Sequence, residues 1–131
     1  MRKKKVLIVD DDAFIRRPLE FLLKREGFET EVAGDGEASL DAMERDRPDL
    51  VCLDVMMPVR DGFSTCEEIR RRPHLAATPV IFLSAKGQES DVARGAALGA
   101  IDFLAKPYSP ADLVSKIRAV LGEQRFTGGG S

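Results

Sequence analysis

A chain of 131 residues, 44% hydrophobic and 32% charged, is long enough for one domain with one core and a charged surface. Its net charge of −2 argues against a general nucleic-acid-binding surface, which needs a strongly basic balance. Two cysteines, Cys52 and Cys66, are too few for a disulfide framework and have no metal-ligand spacing. No stretch approaches the length of a membrane span and no signal-peptide pattern precedes Val6, so a cytoplasmic protein without a membrane partner is expected.

In chain order, the basic run Arg2-Lys3-Lys4-Lys5 reads as a solvated entry to a first strand, Lys5 to Val9, which is β-branched and apolar and breaks into Asp10-Asp11-Asp12. Ala13 to Glu26 shows helical spacing through Phe14, Leu19, Phe21, Leu22 and Leu23, with Asp12 as N-cap and Gly27 just past the end. Pro18 inside it predicts a local bend or an adjusted first turn. Phe28 to Ala33 is a second strand nearer an edge, and Glu37 to Arg45 a second helix. Asp49 to Asp54 is a short apolar run behind a proline, the pattern of a strand buried on both faces, and it ends on a carboxylate.

Asp61-Gly62 closes the next loop before a third helix, about Phe63 to Arg71, whose Arg70-Arg71-Arg72 end should face solvent and the helix dipole. Phe14, Phe63 and Phe82 read as core. Pro79 to Leu83 is a fourth strand that ends at Ser84, and Glu89 to Leu98 a weak fourth helix loosened by Gly95. Ala100 to Ala105 is a fifth strand that runs into Lys106-Pro107. Ser109 caps a fifth helix with Pro110 in its first turn. Residues 1–122 form the expected domain, and 123–131, ending in Gly128-Gly129-Gly130-Ser131, read as a flexible tail or linker.

Strands alternating with helices imply an α/β fold: a five-stranded parallel, doubly wound sheet of order 2-1-3-4-5 with five helices. All parallel strands end at one edge, so Asp10, Asp11, Asp54, Ser84 and Lys106 converge there. Three carboxylates in one crevice repel, and a divalent cation removes that penalty. With oxygen ligands and no paired histidine or cysteine, Mg²⁺ or Mn²⁺ is the natural choice. An ammonium and a hydroxyl aimed at such a centre suit a phosphoryl group, with Asp54 as nucleophile and Lys106 neutralising developing charge.

The spaced set Val9-Asp10-Asp11, Leu53-Asp54, Met57-Pro58 with Asp61-Gly62, Ser84-Ala85, Gly99-Ala100 and Lys106-Pro107 resembles a two-component response-regulator receiver domain, over essentially Lys4 to Leu121. The resemblance implies a flavodoxin-like fold. It implies that Asp54 takes its phosphoryl group from a sensor histidine kinase or a phosphotransfer protein, and that Asp10, Asp11, Asp54 and the backbone carbonyl of Met56 hold Mg²⁺. It also implies a cis peptide before Pro107 and a switch pairing Ser84 with Phe103. Phe103 lacks the hydroxyl of the family's frequent tyrosine, so that switch must work by packing. The face made by helix four, strand five and helix five, with Arg94, Asp102, Asp112 and Lys116, is the expected readout and homodimer surface. Such a module is not expected to be an enzyme: it catalyses only the phosphorylation and dephosphorylation of its own Asp54. Two other readings compete. A Mg²⁺-dependent phosphatase of the haloacid-dehalogenase type wants a second acid two residues after its nucleophile, where Met56 stands. A flavodoxin-like FMN binder wants a Ser/Thr-rich phosphate loop, where three acids stand.

Overall fold

The structure, a computed structural model, describes residues 3–85 and 89–122. The tail expected at 123–131 lies outside the described residues. In chain order the elements are β1 (Lys5–Val9), α1 (Ala13–Arg25), β2 (Glu29–Ala33), α2 (Gly36–Arg45), β3 (Leu50–Asp54), α3 (Gly62–Arg71), β4 (Val80–Ser84), α4 (Glu89–Ala97), β5 (Asp102–Ala105) and α5 (Pro110–Leu121). Among the described residues no helix is long and apolar enough to cross a membrane.

The strands form one parallel sheet in the order β2-β1-β3-β4-β5, as the alternation of elements implied. Every residue of β1, β3 and β4 is buried, which is why these strands read as continuous apolar runs rather than alternating ones. Side chains nonetheless leave the sheet on alternating sides. Val6, Ile8, Leu50, Cys52, Ile81 and Leu83 pack against Leu19 and Leu23 of α1 and Leu113, Val114 and Ile117 of α5. Leu7, Val9, Val51, Leu53, Val80 and Phe82 pack against Leu40 and Met43 of α2 and Phe63, Cys66 and Ile69 of α3. Both cysteines are buried free thiols, and burial pushes Cys52 up to about 12.

Helix starts follow their capping chemistry. Asp12, Asp35 and Asp61 each accept a backbone N–H from the first turn that they precede, and Ser109 does so ahead of Pro110. The chain leaves α1 through Gly27, whose φ of 97° favours glycine.

One expectation for α1 fails. Phe14 is 91% exposed and Phe21 is also exposed, so neither belongs to the core. At 100° per residue, Leu19 and Leu23 lie together on the sheet side, while Phe14, Pro18 and Phe21 share the opposite side. That placement also accounts for Pro18. The helix runs through it, and the Phe14 carbonyl deprived of its N–H partner lies on the exposed side, where water can satisfy it. Gly95 fails differently. It is buried, and a Cβ there would lie 3.0 Å from the Phe82 ring and 3.5 Å from the Phe103 ring. Its role is close approach of α4 to the sheet rather than looseness.

Candidate functional site

Strand register brings the polar residues together. Val9 lies opposite Leu53, Asp54 opposite Leu83, and Ser84 opposite Ala105, so the residues at or just past these ends share the carboxyl edge of the sheet. Asp10 and Asp54 are buried there, and Asp11 is exposed at the rim. One oxygen from each of the three carboxylates lies within 4.8 Å of the others.

Each acid is held by its neighbours. Asp10 Oδ1 accepts the Asp12 N–H at 2.9 Å, while its Oδ2 faces Lys106 Nζ at 3.0 Å. Arg16 donates to the Asp10 carbonyl at 2.7 Å, tying α1 to the loop that carries the acids. Nothing in the sequence marked Arg16, because its acceptor is a backbone oxygen. Asp54 Oδ1 lies 3.5 Å from Lys106 Nζ and 3.4 Å from the Met56 N–H. Lys106 thus stands between two buried carboxylates, and the Lys106–Pro107 bond is cis, as the resemblance implied.

Burial is the main cause that pushes the Asp54 carboxyl up from 3.8 to about 6, at only 4% exposure. Lys106 opposes that shift, Asp10 adds to it, and the Met56 N–H opposes it. Burial likewise pushes Tyr108 up to about 12, with Cys52, Asp10 and Asp54 adding to it. A carboxyl that ionises near neutrality beside a fixed ammonium is suited to act as a nucleophile whose charge the site can accommodate.

The loop after β3 closes over Asp54. Gly62 donates to the Val55 carbonyl at 2.9 Å and sits so close that a Cβ would lie 2.3 Å from the Asp54 carbonyl oxygen. Met57 is buried as an anchor and Met56 is exposed. Val59 is a β-branched residue at a φ of 68°, a conformation that costs roughly 1–3 kcal/mol. Arg60, which had no role from sequence, pairs with Glu37 of α2 at 2.8 Å. Its stem lies on Gly36, where a Cβ would be 2.9 Å from Arg60 Cδ, so the loop is tied to the start of α2.

Ser84 is buried at the end of β4, and its carbonyl accepts the Lys106 N–H at 2.6 Å. Phe103 lies opposite Phe82 on β5, with ring centroids 6.1 Å apart. Ser84 and Phe82 are two residues apart, so Ser84 and Phe103 share the face that α4 covers. Arg94 of α4 does not join the expected readout face. Its guanidinium lies over the Phe63 ring at 4.6 Å. Asp102 and Lys116 do lie on that face and pair with each other at 2.7 Å. His74 lies elsewhere, against Glu44.

The donor set is three carboxylates with no imidazole or thiolate among them. That chemistry fits a hard divalent cation such as Mg²⁺ or Mn²⁺. Beside the pocket runs a groove of about 650 Å³ lined by Ile15, Pro18, Leu19, Leu22, Pro107 and Tyr108 among others.

Comparison with known proteins agrees with this architecture. The family model described as "Response regulator receiver domain" matches residues 6–118. The chain is 44% identical over 121 residues to a probable transcriptional regulator, ycf27, of Porphyridium aerugineum, covering 92% of this chain and 49% of that protein. It is 45% identical over 116 residues to the sensory transduction protein RegX3 of Mycolicibacterium smegmatis, covering 88% of this chain and 50% of that one. The chain therefore spans about half the length of these curated relatives. Among solved structures it matches the chemotaxis protein CheY4 of Vibrio cholerae with a TM-score of 0.86 and 33% identity, over 91% of this chain and 99% of that one. A putative response regulator of Chloroflexus aurantiacus matches with a TM-score of 0.87 and 34% identity, over 93% and 100% of the two chains. The acidic pocket at the carboxyl edge of a 2-1-3-4-5 sheet is thus that of a two-component signalling protein, and the chain belongs to the response regulator receiver domain family.

Proposed function

We propose that this receiver domain accepts a phosphoryl group on Asp54 from a sensor histidine kinase or a phosphotransfer protein, with Mg²⁺ held by Asp10, Asp11, Asp54 and the Met56 carbonyl. The observation that carries this reading is the buried Asp54 carboxyl, pushed up to about 6, with Lys106 Nζ between it and Asp10. Above that pH an ionised Asp54 oxygen bonds to phosphorus as the phosphorus–nitrogen bond of a donor phosphohistidine breaks, its electron pair returning to the imidazole. Lys106 follows the charge onto the phosphoryl oxygens. The bound cation would neutralise the crowded carboxylates and the incoming phosphoryl oxygens.

The Ser84 hydroxyl then donates to a phosphoryl oxygen, and Phe103, on the same face, repacks against Phe82 and α4. The donor protein has an apolar surface to dock on: exposed Phe14 and the neighbouring groove along α1. The α4–β5–α5 face, with exposed Val92 and Ile101, is the candidate surface for self-association. The Asp102–Lys116 pair is satisfied within the chain, so apolar contact rather than charge would drive it.

A phosphatase also forms an aspartyl phosphate but must hydrolyse it in a cycle, with a second acid two residues on; that position holds exposed Met56. Incubation with acetyl phosphate and Mg²⁺ separates the two. The receiver reading expects up to one phosphoryl group per chain, standing as a lasting adduct with only slow phosphate release from its own dephosphorylation, and sedimentation of the same sample reads any shift to dimer. Fast turnover with no adduct left standing would favour the phosphatase.

Asp11→Ala should weaken Mg²⁺ binding at least about tenfold, the low end of what losing even an indirect metal partner costs. Melting without metal should rise slightly, because one of three crowded carboxylates is gone and Asp11, at the rim, is well screened. A titration of Mg²⁺ by melting temperature reads both. A lower metal-free melting point would make Asp11 a structural residue.

A further inference from the structure

Arg70, one residue before the end of α3, does not face solvent as its arginine-rich surroundings suggested. Its guanidinium donates to four backbone carbonyls. Nε reaches Leu98 at 2.8 Å and Nη2 reaches Gly99 at 3.3 Å. Nη1 reaches Ala76 at 2.9 Å and Thr78 at 2.8 Å. The first two oxygens belong to the end of α4, where a helix leaves carbonyls unpaired and carries partial negative charge. The other two belong to the connection that leads into β4.

This end of α4 has further ties. Gly99, at a φ of 78°, turns the chain so that the Ala100 N–H returns to the Gly95 carbonyl at 3.0 Å. The Ile101 N–H then bonds to Val80 at 2.8 Å, and Leu98 packs on the core. The amino half of the helix is held by side-chain contact instead: the Arg94 guanidinium lies over the Phe63 ring at 4.6 Å, while Ser90, Val92 and Ala93 are exposed, as Ala96 and Ala97 are. The tied end lies at the amino edge of the sheet, where Ile101 meets Val80, and the helix starts nearer the carboxyl edge. Nine residues of helix at about 1.5 Å each separate the two ends by roughly 13 Å.

We propose that Arg70 is the pivot of α4: it fixes the carboxyl end of the helix to α3 and to the entry of β4, so that activation at Asp54 swings the amino end alone. Arg70 is a positioning residue and touches nothing in the acidic pocket. The proposal rests on the phosphoryl-acceptor reading, in which Ser84 and Phe103 rearrange beneath α4. Gly95, resting on Phe82 and Phe103, is where that rearrangement reaches the helix, partway between the end that Arg70 holds and the amino end.

The test is backbone amide NMR and hydrogen exchange on the whole chain, with and without beryllofluoride and Mg²⁺, for the wild type, Arg70→Met and Arg70→Lys. In the wild type, beryllofluoride should shift amides 89–94 strongly and amides 97–100 little. In Arg70→Met, exchange at 97–100 should speed up by about tenfold, the loss of roughly one net hydrogen bond. The beryllofluoride-induced shifts should then spread along the helix. Acetyl phosphate labelling should stay within about twofold of wild type, since Arg70 is distant from the pocket. A merely structural role would speed exchange without redistributing the activation shifts. Arg70→Lys, which keeps the cation but not the fork, should fall between and serves if the methionine variant does not fold. Equal shifts along the whole helix in the wild type, or an unchanged shift pattern in both variants, would overturn the pivot alone. No beryllofluoride-dependent shift anywhere would overturn the phosphoryl-acceptor reading, and the pivot with it.

Discussion

Replacing Asp54 with Asn should make the metal-free protein more stable at neutral pH, by up to about 3 kcal/mol. The fold raises this carboxyl from 3.8 to about 6, so it favours the neutral form. The stabilisation from that preference is complete below the unfolded value and is lost as pH climbs through about 6. At pH 7 the wild type carries an ionised carboxylate at 4% exposure, only partly offset by Lys106. Asparagine keeps the shape and does not titrate, so the difference between the two proteins should grow from pH 4 to pH 6 and then level off. Chemical denaturation across that range reads it. Added Mg²⁺ should narrow the gap by stabilising the wild type through binding. A variant less stable than wild type at pH 7 without metal would mean that Lys106 more than offsets the burial of the charge.

Gly62→Ala should be the most damaging single methyl group near the site. The new Cβ would lie 2.3 Å from the Asp54 carbonyl oxygen and 2.9 Å from Val55 Cα, and both are backbone atoms that no rotamer change can move. The end of β3 must shift, at a cost of about 3 kcal/mol. For a domain of this size that lowers melting by roughly 10 °C or more. The same shift displaces the Asp54 carboxylate, so Mg²⁺ binding should weaken as well. Gly34→Ala is the control, since its Cβ would meet only the Arg16 guanidinium, at an ordinary 3.6 Å. If both variants melt near wild type, the close approach at Gly62 does not constrain the strand end.

What sequence could reveal divides along the range of the interactions. The sheet was legible because β1, β3 and β4 are buried on both faces and carry little but apolar residues. The site was legible because charges that end such strands have one edge to share. The outer face of α1 was not. Phe14 and Phe21 are as apolar as the core, and only their angle around the helix excludes them. Arg70 and Arg16 were illegible for another reason. Their acceptors are backbone carbonyls, which carry no residue-specific signal, and those of Arg70 at Leu98 and Gly99 lie 28 and 29 residues away. Gly95 misled because the propensity cost of glycine is local, while its benefit, contact with Phe82 and Phe103, depends on tertiary packing. Arg60 is explained only by Glu37, on a helix that the sequence does not place beside the β3–α3 loop.

Of the three clustered acids, Asp54 is the one expected to form the bond to phosphorus. Its most direct test is the intact mass of wild type and Asp54→Asn after acetyl phosphate treatment with Mg²⁺, followed by peptide mapping. The expected result is one phosphoryl adduct in the wild type, carried by the peptide containing Asp54, lost when Mg²⁺ is chelated beforehand and absent from the variant. An adduct of equal yield in Asp54→Asn, or one mapping to a peptide without Asp54, would place the phosphoryl bond on another residue.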